Sequence, residues 1–448
     1  MPKNVKIRRG ANIKLAGVAE RIKGDAPFPA SFAIKPTDFH GLTPKMVLKE
    51  GAEVKAGQEI FHDKYNDKVK YTAPVSGEIA EVVRGAKRRI LEVRIVPDKE
   101  QKYETFDVSG ITTGEKVKEV LMASGFWPMI KQRPYDVVAD PMTKPKAIFV
   151  SAFDSAPLGA DYDFVLHGQK EAFQRGLDAL KLMTDGKVHL STRGGSTPDE
   201  VFSSASGVEK NMFSGPHPAG NVGIQIHHID PINKGDKVWT VNAQHVMMIG
   251  RFLMTGKPDF SKTIAIAGSE VKKPRYMTTI VGASMKALAE GEINEGSNRI
   301  ISGNVLTGDA VGGEGYLGFY HDVVTVISEG NEPQFMGWLT PNFHKFSLSR
   351  SYFSWLMPNK KYSLNTNQNG EDRAFVVTGE YESVLPMDIY PVYLLKAIMT
   401  KDIEKMENLG IYEVAPEDLA LCEYACTSKT PVQDILREGL DLAQEELG

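Results

Sequence analysis

Gly313-Glu-Gly-Tyr-Leu-Gly318 has the G-x-G-x-x-G spacing that lets a backbone approach a pyrophosphate. That chemistry needs a strand before the loop and a helix after it, so that the phosphates sit on the helix N-terminus. Here the following residues, 319–326, read as a strand, and the spacing reads as a turn in a β region. Arg193-Gly-Gly-Ser-Thr197 offers backbone donors and a guanidinium, the parts of an anion site, in a turn that also joins ordinary α/β units without a ligand. His227-His-Ile-Asp230 has metal-ligand residue types. Read as the end of a strand over 223–227, it sends the two imidazoles to opposite faces, and none of the ten histidines has a zinc spacing. Cys422 and Cys426 are the only thiols, too few for a four-cysteine zinc or iron–sulfur site, and read as small buried residues. Neither a G-x-S-x-G elbow nor a P-loop is present. These stretches assign no catalytic, cofactor-binding or metal-ligating residue.

One further cluster is aromatic. Phe335, Trp338, Phe343, Phe346, Tyr352, Phe353 and Trp355 fall within 21 positions, among Lys345 and Arg350 and ahead of Lys360 and Lys361. A core wall between domains has this composition. So does a contact with a membrane partner or membrane interface, where rings with basic flanks are favoured. Trp338, Phe343, Phe346, Tyr352, Phe353 and Trp355 are the residues assigned to that contact.

The elements that must position these residues change character along the chain. Residues 28–100 are short apolar runs between glycine turns, which predicts a small β sandwich. Residues 47–61 and 73–79 resemble the lipoyl/biotinyl-carrier sandwich, with glycines where each strand reverses. The hairpin tip near Lys64 lacks the methionine flank of a modified carrier lysine, so Lys64 reads as solvated. From Thr113 to about 255, strands such as 147–152 and 187–191 alternate with helices over 113–125 and 169–183, which predicts a Rossmann-like α/β layer. Thr197 is the expected N-cap of a helix with Pro198 first and Glu200 closing a capping box. Residues 260–330 predict a four- or five-strand sheet with one helix over 284–291, a β-grasp arrangement. The last 60 residues predict helices from Pro391 and Pro416, and a third entered by a capping box at Thr430-Pro-Val-Gln433. The fold class is α+β multidomain. The expected spans are 1–105 for the N-terminal region with the sandwich, 106–257 for the α/β layer and 258–330 for the β-grasp sheet. An aromatic-rich connection over 331–385 and a helical domain over 386–448 complete the chain.

Composition excludes several classes. With 448 residues, 42% hydrophobic and 25% charged, the chain can bury a large core and is neither disordered nor fibrous. A net charge of −4 argues against a dedicated nucleic-acid binder. No run of 18 or more apolar residues appears, so no membrane span is expected. The basic start lacks an apolar segment, so no signal peptide is expected. Charge is uneven: residues 1–100 hold 20 Lys/Arg against 13 Asp/Glu, a net of +7, and residues 401–448 hold 4 against 12, a net of −8. Two solvated faces account for this first; the sharper reading is that the ends face different partners or each other.

Taken in order, Lys6-Ile-Arg-Arg-Gly-Ala-Asn-Ile-Lys-Leu-Ala-Gly17, Ser124-Gly-Phe-Trp-Pro-Met-Ile-Lys-Gln-Arg-Pro134 and His217-Pro-Ala-Gly-Asn221, with residues 39–51, 147–157 and 299–308, resemble the A-subunit family of the Na+-translocating NADH:quinone reductase (Nqr). The resemblance covers nearly the whole chain. It is related in fold to the C subunit of the Rnf complex and the flavoprotein subunit of respiratory complex I. It implies a translocase that oxidises NADH, reduces ubiquinone or menaquinone and exports Na+. This chain would be a peripheral subunit on the cytoplasmic face of the bacterial inner membrane, docked to the integral-membrane subunits. Those flavoprotein relatives have a glycine-rich FMN loop where this sequence has Gly125-Phe-Trp-Pro-Met-Ile130. Phe126 and Trp127 obstruct the close backbone approach that flavin phosphate needs. Residues 422–431 resemble the tail of a cysteine run whose other ligands are missing. The resemblance therefore implies the fold without a tightly bound flavin or cluster, quinone as the substrate ligand, and no activity with NADH in the isolated chain. Three other functions remain as alternatives: electron transfer of the Rnf type, against which the cysteine count speaks; a carrier with a modified lysine, against which the hairpin tip speaks; and an assembly scaffold with no small-molecule site.

Overall fold

The computed structural model describes residues 3–330, 334–337 and 341–448. Thr113 caps the helix Gly114–Ser124 by accepting from the Lys116 amide, and Gly125 ends it at φ 82°. A Cβ there would lie 2.0 Å from Thr72 Oγ1, so both the left-handed backbone and the close approach require glycine. The chain then turns inward. Phe126 stacks on Phe252 and on Phe260 with ring centroids 4.7 Å apart in each case, and Trp127 meets Trp239 edge-on at 5.3 Å.

Behind this wall lies a seven-stranded sheet in the order Asn4–Lys6, Glu209–Ser214, Lys187–Arg193, Ala147–Ser151, Val238–Asn242, Ile130–Arg133, Val137–Val138. The first five strands run parallel and the last two are antiparallel additions. The apolar runs of the central strands suit a sheet buried on both faces. From Ala147–Ser151 the chain steps outward twice, then returns to place Val238–Asn242 on the other side. Strand order therefore reverses at those two strands, and a crevice opens at their carboxyl ends. Helices Lys170–Leu182 and Ala243–Thr255 pack nearly backbone to backbone: a Cβ on Gly250 would lie 1.7 Å from the Ala172 carbonyl oxygen.

A six-stranded sheet follows, in the order Asp309–Ala310, Asn298–Ser302, Val323–Ser328, Ser261–Ala267, Arg275–Ile280, Glu20–Asp25, with the helix Met285–Ala289. The sixth strand is supplied by the N-terminal region, as is the edge strand Asn4–Lys6 of the larger sheet. Neither is visible in the sequence, because Glu20-Arg-Ile-Lys-Gly-Asp25 is exposed and carries no apolar alternation. Two small sheets form the barrel-sandwich between them: Phe32–Ile34, Ile90–Pro97, Gly77–Arg84, Glu53–Val54, and Pro44–Met46, Glu59–Asp63, Asn66–Thr72. The C-terminal region is helical, with Pro391–Met399, Ile403–Asn408, Pro416–Ala425 and Val432–Leu447 burying Leu394, Leu395, Met406, Leu436 and Leu440.

Three local expectations are corrected. Residues 223–227 lie in a helix, Val222–Ile229, rather than a strand. A short apolar run fits either period, and burial of Ile224 and Ile226 overrode their β preference. The helix Glu200–Ser203 is capped by Asp199, which accepts from the Val201 amide at 3.0 Å, so Thr197 and Pro198 lie outside it. Pro431 rather than Thr430 precedes Val432–Leu447, and no capping box forms there, because the Gln433 amide donates to Glu423 Oε2 at 2.8 Å. The residues after Gly318 are a loop until the strand opens at Val323, and Gly313 lies in a turn.

Gly250→Ala must push the Ala172 carbonyl aside and is expected to lower the unfolding free energy by about 1–3 kcal/mol. Gly313→Ala, whose Cβ meets nothing within 4 Å, is expected to leave it unchanged. Urea unfolding of both variants checks this; equal midpoints would mean that the helix pair can spread freely.

Candidate functional site

The crevice at the strand reversal is a cavity of about 610 Å³. Phe153 and Asp154 reach it from the loop after Ala147–Ser151, and Asn242 from the end of Val238–Asn242. Phe319 to Asp322 enter ahead of Val323–Ser328, Lys35 and Asp38 from the N-terminal region, and Glu417 from the helical C-terminal region. The site is thus assembled from all four parts of the chain.

Its floor is a buried ion pair. Lys262 Nζ lies 2.7 Å from Asp322 Oδ1, and both side chains are almost fully shielded. Tyr162 donates to Asp322 Oδ2 at 2.7 Å and the Asn242 amide to the same oxygen at 3.0 Å, while Gln244 Nε2 donates to Oδ1 at 3.0 Å. Burial alone would raise the Asp322 carboxyl, but Lys262 and these donors carry it below its ordinary value. The ionised acid in turn joins burial in pushing the Tyr162 hydroxyl well above the phenol range.

Three imidazoles line the walls. His245 is fully buried at the start of Ala243–Thr255, its Nε2 without a protein partner, and burial with the nearby Lys262 lowers its pKa to about 3. Burial also lowers His217 to about 4. Its Nδ1 lies 3.0 Å from Ser155 Oγ, which accepts from the Gly220 amide at 2.8 Å. Its Nε2 is buried without a protein partner. His321 is lowered to about 4 by burial, with Nδ1 2.9 Å from Ser302 Oγ. All three are neutral near pH 7. Asp154 and Asp38 are raised by burial, Asp38 against the opposing pull of Lys35 at 3.1 Å.

The upper rim is clamped by Arg133. Its Nη1 and Nη2 meet Asp418 at 2.5 Å and Glu417 at 2.6 Å, tying the seven-stranded sheet to Pro416–Ala425.

The stretches singled out in the sequence fall elsewhere, except where noted. His227 and His228 are neighbours on one helix with ring centroids 5.3 Å apart, not on opposite strand faces. Each has a partner: His227 Nδ1 pairs with Glu413 Oε2 at 2.7 Å, and His228 Nδ1 with the Ile224 carbonyl at 2.8 Å. Arg193 Nη2 donates to the Asp154 carbonyl at 2.7 Å. Cys422 and Cys426 are buried, and Tyr381 donates to Cys426 Sγ at 2.9 Å. No group of three or more His, Cys, Asp or Glu among the described residues is placed to hold a metal ion. Of the aromatic contact residues, Trp338 lies outside the described residues. Phe343 and Trp355 are exposed, while Phe346, Tyr352 and Phe353 are half-buried. Phe343 packs on Phe353 at 4.9 Å, Phe346 on Tyr362 at 5.8 Å, and the Tyr352 hydroxyl donates to the Gly337 carbonyl at 2.9 Å. Sequence reasoning missed Tyr162, Lys262, His245 and Asp322 altogether. His217 was noticed only within a motif, with no role attached.

Family models match three consecutive stretches: an NqrA N-terminal barrel-sandwich hybrid domain over residues 5–98, an NqrA second alpha/beta domain over 112–258 and an NQRA C-terminal domain over 263–312. The A subunit of the Na(+)-translocating NADH-quinone reductase of a Marinomonas species is 40% identical, covering 98% of this chain and 99% of its own length. The chain belongs to this NqrA family. The NqrA proteins of Neisseria meningitidis serogroup C and Vibrio anguillarum are each 38% identical over 99% of this chain and 100% of their own. An NAD+-reducing [NiFe]-hydrogenase covers 49% of this chain and 48% of its own at 15% identity and a TM-score of 0.33, too remote to inform function. Within the described residues no helix is long and apolar enough to cross a membrane.

The neutral imidazoles set a pH dependence. Between about pH 6.5 and 4 the unfolded chain takes up protons that folded His217 refuses, so this group's contribution to stability is whole above 6.5 and falls as pH drops toward 4. The loss for His217 is about 3 kcal/mol. Asp38 and Asp154 act with the opposite sign, so the comparison is with His217→Gln. The variant is expected to lose less stability than the native chain across this window in urea titrations; parallel curves would contradict a neutral His217.

Proposed function

We propose that this chain is a peripheral subunit of a Na+-translocating NADH:quinone reductase, docked to integral-membrane subunits on the cytoplasmic face of the bacterial inner membrane. In this reading its cavity receives a quinone head group, and the chain carries no tightly bound flavin or cluster of its own. The near full-length similarity to proteins named for that enzyme supports the first part. We read the small sheets as a lipoyl/biotinyl-like sandwich, the seven-stranded sheet as Rossmann-like and the six-stranded sheet as β-grasp.

The observation that carries the ligand assignment is the pair of neutral imidazoles, His217 and His245, buried at the cavity with Nε2 unpartnered. A buried polar atom without a partner is unfavourable, and a ligand oxygen would relieve it. A quinone offers two carbonyl acceptors on one flat ring. Phe319 and Tyr320, whose rings flank His245 with centroids 5.9 Å from it, supply aromatic surface for that ring. Charge supports the same class. Lys35 and Lys131 line the cavity against Asp38, Asp136, Asp154, Asp309, Asp322 and Glu417. Asp322 is paired with Lys262 and Glu417 with Arg133, and the remaining four acids against Lys35 and Lys131 disfavour the phosphates of a nucleotide cofactor but not a neutral head group. Phe126 and Trp127, packed into the core, leave no open glycine cradle at residues 125–130.

On binding, an Nε2 that carries the ring proton donates to a quinone carbonyl and one that lacks it accepts from a quinol hydroxyl, while the rings exclude water and the Asp322 network keeps the floor rigid. Two-electron reduction of a quinone also consumes two protons, and the electrons would come from the other subunits.

Equilibrium dialysis of the isolated chain with a short-chain ubiquinone is expected to show binding that weakens about tenfold in His245→Leu, the loss of one hydrogen bond to a buried group. FMN is expected not to bind. Equal retention of ubiquinone by both proteins, or preferential binding of FMN, would overturn the assignment. Separately, Phe353→Ala combined with Trp355→Ala is expected to abolish co-purification of the membrane subunits from mildly solubilised membranes. Unchanged recovery would remove the aromatic segment from the docking surface.

A further inference from the structure

Residues 333–370 contain no aspartate or glutamate, yet they hold Lys345, Arg350, Lys360 and Lys361. None of these four cations pairs with a carboxylate among the described residues. Lys345 and Lys360 reach carbonyl oxygens, an amide oxygen and the Tyr352 and Tyr362 rings, and Arg350 lies over the Trp355 ring at 5.7 Å. Apolar side chains stand exposed between them: Phe335 at 92% of its free surface, Phe343 and Trp355 at 53%, Leu356 at 54%. Single exposed hydrophobics are ordinary on a protein surface, but this grouping within one short segment is not.

The segment is folded onto the body of the protein. Tyr362 is buried and exchanges backbone hydrogen bonds with the N-terminal stretch, donating to the Lys14 carbonyl at 2.8 Å and accepting from the Ala16 amide at 2.9 Å. Lys14 also reaches the Pro358 carbonyl. Residues 1–19 likewise contain no acid, while carrying Lys3, Lys6, Arg8, Arg9 and Lys14. Tertiary structure thus joins two acid-free, basic stretches that lie more than three hundred positions apart in sequence, in a chain whose net charge is −4.

We propose that this face, formed by residues 334–337 and 341–361 around the Lys14–Pro358 contact, adsorbs directly to anionic phospholipid head groups. The inference rests on the membrane-side placement of the segment proposed above and names what it touches. Rings and leucines of this kind settle at the boundary between head groups and acyl chains, where an amphipathic side chain keeps its polar end wet. Cations without a carboxylate partner gain from the negative surface potential, each contributing about a fivefold gain in partitioning. An acidic protein partner would satisfy the cations and the rings as well, and the vesicle test below separates it from a lipid surface.

The test uses the full chain and vesicle sedimentation. Vesicles of phosphatidylcholine alone are compared with a two-to-one mixture of phosphatidylcholine and phosphatidylglycerol. The native chain is expected to bind the mixed vesicles and not the neutral ones, and to be released by high salt. Lys360→Glu with Lys361→Glu is expected to weaken binding at least about twenty-fivefold, two cations' worth. Phe343→Ser with Trp355→Ser is expected to weaken it at every salt concentration. Both variants are solvent-facing, and unchanged thermal unfolding would confirm that they fold. No binding to the mixed vesicles, or equal binding to both kinds, would overturn the proposal. If purified membrane subunits still capture the chain while vesicles do not, membership of the complex stands, the lipid contact falls, and an acidic protein surface takes its place.

Discussion

A single buried ion pair joins two parts of the molecule beside the cavity. Lys262 comes from the six-stranded sheet, Asp322 from the loop returning to that sheet, and Tyr162, Asn242 and Gln244 from the neighbouring α/β layer. Two buried charges lose much of their hydration, and their attraction offsets this only when the remaining lone pairs are filled. Here each Asp322 oxygen is filled from the other sheet. The network is therefore as much an interdomain joint as an electrostatic feature. It fixes where the strand-end crevice closes, and hence the cavity's size.

The Arg133 clamp does for the rim what Lys262 does for the floor. Asp418 is buried, and it accepts both from Arg133 and from the Ala415 amide at 2.9 Å at the entry to its helix. The helix start, the sheet and the rim are thereby set by one carboxylate. Between rim and floor, burial above all keeps the histidines neutral, with Lys262 adding to it at His245 and His321. A cavity with many acids and few cations, lined by neutral imidazoles, would suit the polar but uncharged ring proposed for it. That selectivity comes from desolvation, not from a recognisable motif.

Much of the fold was legible from the sequence. The period changes near residues 113, 260 and 390 located a β-rich region, an alternating layer, a second sheet and a helical end. Thr113 and Gly125 marked a helix's limits because capping chemistry is local. Residues 223–227 were misread because five residues with two isoleucines satisfy either period. The cap at Asp199 was misplaced because three polar residues compete within one turn, and only geometry selects among them. The edge strands Asn4–Lys6 and Glu20–Asp25 were invisible, since an exposed strand has no apolar rhythm.

The sequence by itself determined the element types, the absence of a cysteine or histidine pattern for metals, and the family, because these depend on neighbours along the chain. The tertiary structure alone decided the cavity. Tyr162, His217, His245, Lys262 and Asp322 span 160 positions and share no spacing rule. Their ionisation states follow from burial, which no local pattern encodes. The same holds for the basic face, where Lys14 meets Pro358 across 344 positions. Chemistry carried by contiguous residues can be read from a chain; chemistry carried by desolvation exists only after it folds.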